Sequence, residues 1–464
     1  MMSFPFTFRR TATHACRQSA LWLHVIALLT CMQTQAATLE EIYNLAVEND
    51  PQLGAAQAVF LSQNEVVAQN RALLLPNVAL RGQSSDNSRM ILGNPSVPTS
   101  RYNDHGWQAV LNQPLFRMDS WYRFKQARNL QAEAIANFAA EQQALIVRVA
   151  ESYFAILEAE AGLSASNAER DAVQRQLEQV QQRFDVGLVA ITDVLESQAA
   201  FDSSTVNVIN AEGLQSTAFE PLIRLTGQYF NEVSGLAEGF PVKNPDPQNE
   251  DAWVETALQN NYSLAAARER LRSAEKGLKL AKSGFYPTVD AQVSYSHQTT
   301  GSISFLGNKL NQRTAAVNVN VPLYQGGGVK SQVKAAGYNL EAAQKNLDLI
   351  QRQVAESTRS LYTAINTDVA RVRARLRGIE SSQSALDATQ TGYEVGTRNI
   401  VDVLQAQRNL FASQLQYASA RYQYVLDTLR LKQSVGTLSP QDLYDLNEFI
   451  DSTVVVSRNT PTTR

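Results

Sequence analysis

The chain has 464 residues, with 41 Lys and Arg against 44 Asp and Glu, a formal net charge of −3 and a pI of about 5.9. This mildly acidic balance argues against nucleic acid as a partner. No uninterrupted run of about 18 apolar residues follows the N-terminal segment, so a transmembrane helix is not expected, and any membrane-spanning part must consist of strands.

The first 36 residues are predicted to be a secretory signal peptide. Three arginines and no acidic residue accompany a short apolar segment, 20–29. Small residues then allow cleavage after Ala36 or Ala37. Two alternatives remain open, an uncleaved membrane anchor and a lipoprotein attached through Cys31.

Removal of this signal changes which chemistry the chain can support. Both cysteines, Cys16 and Cys31, lie within it, so the mature chain would have no disulfide, thiol nucleophile or thiolate metal site. The formal charge falls from −3 to −6, because the segment holds three arginines and no Asp or Glu. HExxH, GxSxG and CxxC motifs are absent and two histidines remain, so we predict neither an enzyme nor a cofactor nor a metal site.

An internal duplication organises the rest of the chain. Residues 184–187, FDVG, match 393–396, YEVG, and 191–195, ITDVL, match 400–404, IVDVL, without a gap between them. Ordered matches over most of the chain indicate two copies of one structural unit.

The first repeat is predicted at 37–227. Apolar residues spaced by three and four predict helices, and alternation of apolar and polar residues predicts strands. The elements are a helical stretch at about 39–73, strands at about 77–86 and 104–113, and long helices at about 119–184 and 191–225.

A linker with several prolines, 228–250, leads to the second repeat at 251–436, which has the same layout. Its elements are a helical stretch at about 251–283, strands at about 288–297 and 313–321, and long helices at about 329–393 and 400–433. A short helix and a flexible polar tail are predicted for 437–464.

The strand pattern has one apolar and one polar side. Val289, Ala291, Val293 and Tyr295 alternate with polar residues. This pattern suits a lipid-facing barrel wall around an aqueous lumen, with half-buried strands of a soluble sheet as the alternative. Because four strands cannot close a barrel, the chain must assemble, and strand counting leaves eight and twelve strands open.

The longest predicted helices have about 65 residues and would extend over roughly 100 Å. Their apolar stripes must pack against other long helices, as in coiled coils, while the polar faces tolerate water. A periplasmic coiled-coil structural protein would also explain these helices, but it would not explain the four alternating strands.

Three segments carry a resemblance to a known family. Residues 183–194 and 393–404 are similar to the two inter-helix turns of the TolC family of outer-membrane efflux and type I secretion channels, and 436–443 is similar to a segment near the family's C-terminus. The likeness extends over essentially the whole predicted mature chain, including the duplication.

The resemblance implies a mainly α protein with a membrane β-barrel. In this family a homotrimer forms a twelve-stranded transmembrane β-barrel that continues into a long periplasmic α-helical barrel. The implied location is the outer membrane of a Gram-negative bacterium, spanning into the periplasm. The implied function is export of drugs, secreted proteins or both, with a periplasmic adaptor (membrane fusion) protein and an inner-membrane RND, ABC or MFS pump as partners. A channel dedicated to one pump or one secreted protein remains an alternative.

The resemblance also assigns a gate at the periplasmic end. Thr192, Asp193, Tyr393 and Arg398 match the family's network of hydrogen bonds and salt bridges that holds the entrance shut. An arginine can form a forked pair with a carboxylate and a tyrosine can donate to one, so Asp193 could hold both partners.

Asp402 matches the aspartate that lines the family's entrance constriction. One carboxylate per protomer, repeated by symmetry, makes an acidic ring that attracts cations. Gln405 stands where the family carries a second acid, and we therefore expect weaker cation selectivity than in relatives with both acids.

Glycines and prolines mark the ends of the predicted elements. Gly187 and Gly396 end the first long helix of each repeat, where glycine takes the left-handed conformation of a C-cap readily. Proline stops a helix, and four prolines are predicted to act as swivels between helices and strands: Pro76, Pro114, Pro287 and Pro322.

Overall fold

The computed structural model describes residues 36–90, 100–237, 239–301 and 309–459. The predicted signal peptide, except Ala36, lies outside these residues. Within the described ranges no helix is both long and apolar enough to cross a membrane.

Four antiparallel strands form one sheet in the order β1-β2-β4-β5. The strands are β1 Asn77–Arg89, β2 Ser100–Phe116, β4 Thr288–Thr300 and β5 Lys309–Asn320. They extend past the predicted ends by up to four residues, except that β5 ends one residue earlier than predicted. The register is continuous except for an irregularity in β2 between Pro114 and Phe116. Pro76 and Pro287 immediately precede β1 and β4, and Pro322 follows β5.

The register separates the sheet into an apolar and a polar face, because side chains alternate along a strand and paired residues share a face. The apolar face holds Val78, Leu80, Trp107, Ala109, Leu111, Val293, Tyr295, Ala315, Val317 and Val319. The opposite face is rich in Asn, Gln, Ser and Thr, and its apolar exceptions include Ala79, Val110, Leu310 and Ala316.

Two very long helices extend away from the sheet. They are α3, Met118–Asp185, with 68 residues, and α8, Gly328–Glu394, with 67 residues. At 1.5 Å per residue each is about 100 Å long. The shorter helices are α1 Leu39–Asn49, α2 Pro51–Ala72, α4 Ile191–Ala218, α5 Glu220–Thr226, α6 Glu250–Asn260, α7 Tyr262–Lys282, α9 Ile400–Val435 and α10 Pro440–Asn447.

The shorter helices pack beside the two long helices and complete the helical layer. Near the sheet, α2 and α7 pack on α3, and α7 also packs on α8. Farther from the sheet, α4 packs on α3, while α9 packs between α3 and α8. The prediction of one helix over 191–225 was wrong at its end, because Phe219 separates α4 from α5 and Pro221 stands in the first turn of α5.

A two-stranded sheet lies beside the middle of the long helices. It consists of β3, Glu232–Leu236, and β6, Ile450–Ser457. The predicted flexible tail was therefore wrong for 450–457. β-Branched residues favour a strand there. Val456 is buried in the same apolar cluster as Tyr153 and Phe154 of α3.

The start of the described chain joins the same sheet. The amide of Ala37 donates to the carbonyl of Glu232 over 3.1 Å, and the amide of Ser234 donates to the carbonyl of Ala37 over 3.1 Å. The Tyr153 hydroxyl of α3 donates to the Ser234 carbonyl at 2.5 Å. Segments near both ends of the described chain are thereby connected to α3 through this sheet.

Two buried carboxyl groups influence each other where α9 packs on α8. Asp368 of α8 is 1% exposed and Asp427 of α9 is 7% exposed. Arg371 donates to Asp368 over 2.7 Å, while Arg430 donates to Asp427 over 3.0 Å and to Glu151 of α3 over 2.7 Å. Burial raises the pKa of Asp368 to about 6; Arg371 opposes this rise, and Asp427 adds to it.

We expect Asp368→Asn to stabilise the folded protein near pH 8. A carboxyl whose pKa is raised on folding contributes stability below about pH 4, and this contribution is lost as the pH rises through about 6. An asparagine keeps an acceptor for Arg371, gains a donor for Asp427 and carries no charge at any of these pH values. The gain in unfolding free energy at pH 8 should be on the order of 1–3 kcal/mol relative to pH 4.

The measurement is the midpoint of thermal unfolding at pH 4 and pH 8. Asp348→Asn, which changes an exposed acid of the same helix, is the matched control. An equal loss of stability at both pH values in Asp368→Asn would contradict the raised pKa of Asp368.

Candidate functional site

The two turns at the far ends of the long helices lie together in the protomer. One joins α3 to α4 and the other joins α8 to α9. Buried apolar residues from all four helices form one cluster there, which we call the tip cluster: Val173, Val180, Val194, Leu386, Tyr393, Ile400, Val403, Leu404 and Leu410. The packing of this cluster fixes the positions of the polar residues around it.

Each turn depends on a left-handed glycine. Gly187 has φ +79° and Gly396 has φ +82°. Their amides donate back to the last helical turn, to Phe184 over 2.8 Å and to Tyr393 over 3.2 Å. A Cβ at either glycine would meet nothing within 4 Å, so the requirement is conformational rather than steric.

Tyr393 is the buried member of the predicted gate network, with 7% of its surface exposed. The Arg183 guanidinium lies over its ring, 5.0 Å from the centroid. Its hydroxyl is buried and makes no hydrogen bond to the residues that the structure describes. Burial raises the pKa of Tyr393; the Arg183 charge opposes this rise, and the nearby Asp193 charge adds to it.

Arg183 was not assigned a role from the sequence, although it faces the same tyrosine as Asp193. Its contact with Tyr393 depends on how α3 packs near α8, because the two residues lie far apart in the chain. Tyr393 is therefore influenced by a guanidinium over its ring and by the negative charge of Asp193.

Arg398 and Thr192 are exposed at the start of the returning helices. The closest carboxylate oxygen to Arg398 is that of Asp402, one helical turn away, at 3.8 Å from Nη1. No ion pair between Arg398 and Asp193 occurs among the described side chains. An exposed pair of this kind contributes about 0.3–0.5 kcal/mol, so it holds the arginine only weakly.

Asp402 belongs to the first turn of α9, where the Asn399 side chain caps the helix. Asn399 Oδ1 accepts from the Asp402 amide over 2.8 Å. The Asp402 side chain is 39% exposed, so its charge remains available to solvent or to a passing ion. Gln405 is exposed and donates to Asn409 Oδ1 over 3.0 Å.

The junction between the sheet and the long helices contains an ion pair that the sequence did not predict. Arg117, which precedes α3, donates from Nε and Nη2 to the two carboxylate oxygens of Asp290 in β4, over 3.0 and 2.7 Å. This forked pair ties the start of a long helix to a neighbouring strand, close to Pro114 and Pro287. The pair therefore adds a side-chain link between the helical layer and the sheet at the point where the chain passes from one to the other.

The residues around the tip cluster supply charged and hydrogen-bonding side chains. In the parts of the chain that the structure describes, no group of three or more His, Cys, Asp and Glu residues is placed to hold a metal ion. The side chains at the tips can attract ions, form hydrogen bonds and exchange partners.

Comparison with known proteins gives a consistent family. The family described as "OEP: Outer membrane efflux protein" matches residues 42–228 and 253–437. The chain is 37% identical over 416 residues to "Outer membrane protein TolC" of Vibrio cholerae, covering 89% of this chain and 93% of that protein. It is 27% identical to "Alkaline protease secretion protein AprF" of Pseudomonas aeruginosa, covering 92% of this chain and 90% of that protein.

A solved structure supports the fold. The outer membrane protein VceC of Vibrio cholerae superposes with a TM-score of 0.74 at 18% identity, covering 87% of this chain and 97% of that chain. At this identity the likeness concerns the fold alone.

Proposed function

The chain belongs to the outer membrane efflux protein family and is an outer membrane export channel, and we propose that it works as a homotrimer gated at its periplasmic end. Its cargo would be drugs, secreted proteins or both. The name of the AprF relative, which refers to secretion of a protease, supports protein cargo, and the family name supports efflux.

The observation that carries the proposal is the open sheet. Among the described strands, β1 pairs only with β2 and β5 pairs only with β4, so each leaves one edge unpaired. In lipid each unpaired backbone group costs several kcal/mol. Pairing β5 of one protomer with β1 of the next removes these edges, and three protomers would give a twelve-stranded barrel with the apolar face outward.

The long helices then extend from the barrel into the periplasm. Twelve helical segments from three protomers would surround a duct, continuous with the polar face of the sheet. The tips are the part farthest from the membrane, so we assign to them the contact with a periplasmic adaptor protein and with an inner-membrane pump of the RND, ABC or MFS class.

We propose that the gate network closes between protomers. Arg398 is exposed and weakly held, so it can reach an acid of a neighbouring tip, with Asp193 as the proposed partner. Thr192 adjoins this acid, and the charge of the same acid acts on Tyr393 in the tip cluster. An adaptor that offers replacement hydrogen bonds would release these links.

Chemical cross-linking tests the trimer. Both cysteines precede residue 36, so the processed chain has none and added cysteines react alone. We expect Leu80→Cys in β1 combined with Ala315→Cys in β5, treated with a bis-maleimide, to give dimers and trimers on a denaturing gel. The reason is that the two edge strands would meet in adjacent protomers.

The matched control pairs two inner strands. Leu111 of β2 and Val293 of β4 are partners in register within one protomer, so cysteines there should cross-link within that protomer, which still migrates as a monomer. Monomers alone from the edge-strand variant, with efficient reaction in the control, would contradict the closed barrel.

Single-channel recording tests the gate. We expect Tyr393→Phe combined with Arg398→Ser to raise the conductance in a planar bilayer several-fold, because both proposed links to Asp193 are removed. Tyr338→Phe combined with Arg377→Ser, two exposed residues of α8 away from the tips, is the control. A conductance equal to that of the control would refute the gate.

Ion selectivity tests the proposed ring at Asp402. We expect Asp402→Asn to lower the preference for cations, measured as the reversal potential in a salt gradient, because each protomer loses one carboxylate at the constriction. Gln405→Glu should have the opposite effect and should strengthen block by a trivalent cation. Reversal potentials that are the same in both variants and in Asp348→Asn would exclude Asp402 from the conduction path.

A further inference from the structure

A cluster of aromatic and cationic side chains lies on the apolar face of the sheet, in the half that is farther from the helices. The rings of Trp107 and Tyr295 lie 5.2 Å apart, and the Arg313 guanidinium lies 5.8 Å from the centroid of Tyr295. His297 and Asn311 are joined by a hydrogen bond of 2.6 Å between Nδ1 and Oδ1. Strand register and these contacts place all five residues on one face.

The charges on this face are unbalanced. Its cations are Arg101, Lys309 and Arg313, and its single acid among the described strand residues is Asp86. All three cations are exposed, and none of them forms an ion pair with another residue that the structure describes. The positive charge is therefore available to a ligand outside the protein.

We infer that this cluster binds the phosphate groups of a phosphorylated lipid in the outer leaflet of the membrane. The inference rests on the proposed function, which directs the apolar face toward lipid. We call these residues, Trp107, Tyr295, Arg313, Lys309 and Arg101, the outer belt.

The position of the belt matches the depth of lipid headgroups. Trp and Tyr on the outside of membrane barrels mark the boundary between hydrocarbon and water. Below Trp107 and Tyr295 the face is made of Val, Leu and Ala. Arg101 and Lys309 lie beyond the aromatic pair, while Arg313 lies beside it, which is where a lipid phosphate would be located.

The chemistry of the belt suits phosphate. Arginine forms forked hydrogen bonds to phosphate oxygens, and the Tyr295 ring orients the Arg313 guanidinium. Lys309 and Arg313 are four positions apart on β5, which corresponds to about 13 Å along a strand. This separation fits a lipid that carries more than one phosphate better than a single free phosphate ion.

Binding of diphosphorylated lipid A to the purified detergent-solubilised protein tests the inference. We expect Arg313→Gln combined with Lys309→Gln to weaken binding about tenfold or more, because charge-assisted hydrogen bonds are lost. Monophosphorylated lipid A should bind the unmodified protein more weakly than the diphosphorylated form.

Arg81→Gln is the matched control. Arg81 pairs with Gln108, at nearly the same height as Trp107, but on the polar face. Unchanged lipid binding by the double variant would overturn the inference, as would an equal loss in Arg81→Gln. Competition by inorganic phosphate that abolishes lipid binding at equal concentration would show a free-anion site and would also overturn it.

Conductance separates this inference from the proposed function. The double variant should still form channels in a planar bilayer, since neither side chain lies on the polar face. Normal channels with unaltered lipid binding overturn the belt alone, whereas absence of channels in the unmodified protein overturns the proposed function.

Discussion

Backbone hydrogen bonding at the two outer strands is the constraint on which the structure depends. The four-stranded sheet satisfies its inner backbone groups and leaves one edge of β1 and one edge of β5 open within the described chain. A soluble protein could leave such edges in water, but the apolar face of this sheet excludes that solution. In the proposed orientation the sheet lies in lipid, which cannot hydrogen-bond to the open edges. In the proposed trimer, the edge strands of neighbouring copies supply the missing backbone partners.

In the helical part, helices of about 100 Å must stay parallel. The contacts that hold them lie near the middle of the long helices and not at their ends. β3 holds Ala37 on one side and β6 on the other, and the Tyr153 hydroxyl ties this sheet to α3. Contacts between segments distant in sequence resist sliding of the helices. At the tips, by contrast, the apolar cluster is small, and the residues that flank it are exposed, so motion is least costly there.

Local patterns predicted the strands and long helices to within a few residues, because period two and period 3.6 are properties of neighbouring residues. The break at Phe219 had a visible signal in Pro221, and the strand at 450–457 had one in Thr453 to Val456. Other features had no such signal. Whether Asp368 meets Asp427, or Arg183 meets Tyr393, depends on the relative register of two helices, which a shift of one residue would change. The tip glycines were predictable because a left-handed position requires them, whereas the partner of Arg398 was not.

The energetics of the tips bear on where a gate can be held. The pair of Arg398 and Asp402 is exposed and 3.8 Å apart, which corresponds to a few tenths of a kcal/mol. The Tyr393 hydroxyl contributes no hydrogen bond to the described chain. Neither interaction in the protomer is strong enough to hold a duct closed. For the proposed gate, the closing energy must therefore come from contacts between protomers. The interactions of such a gate are weak within each subunit. In a symmetric assembly each contact between subunits is repeated, so the total closing energy is larger.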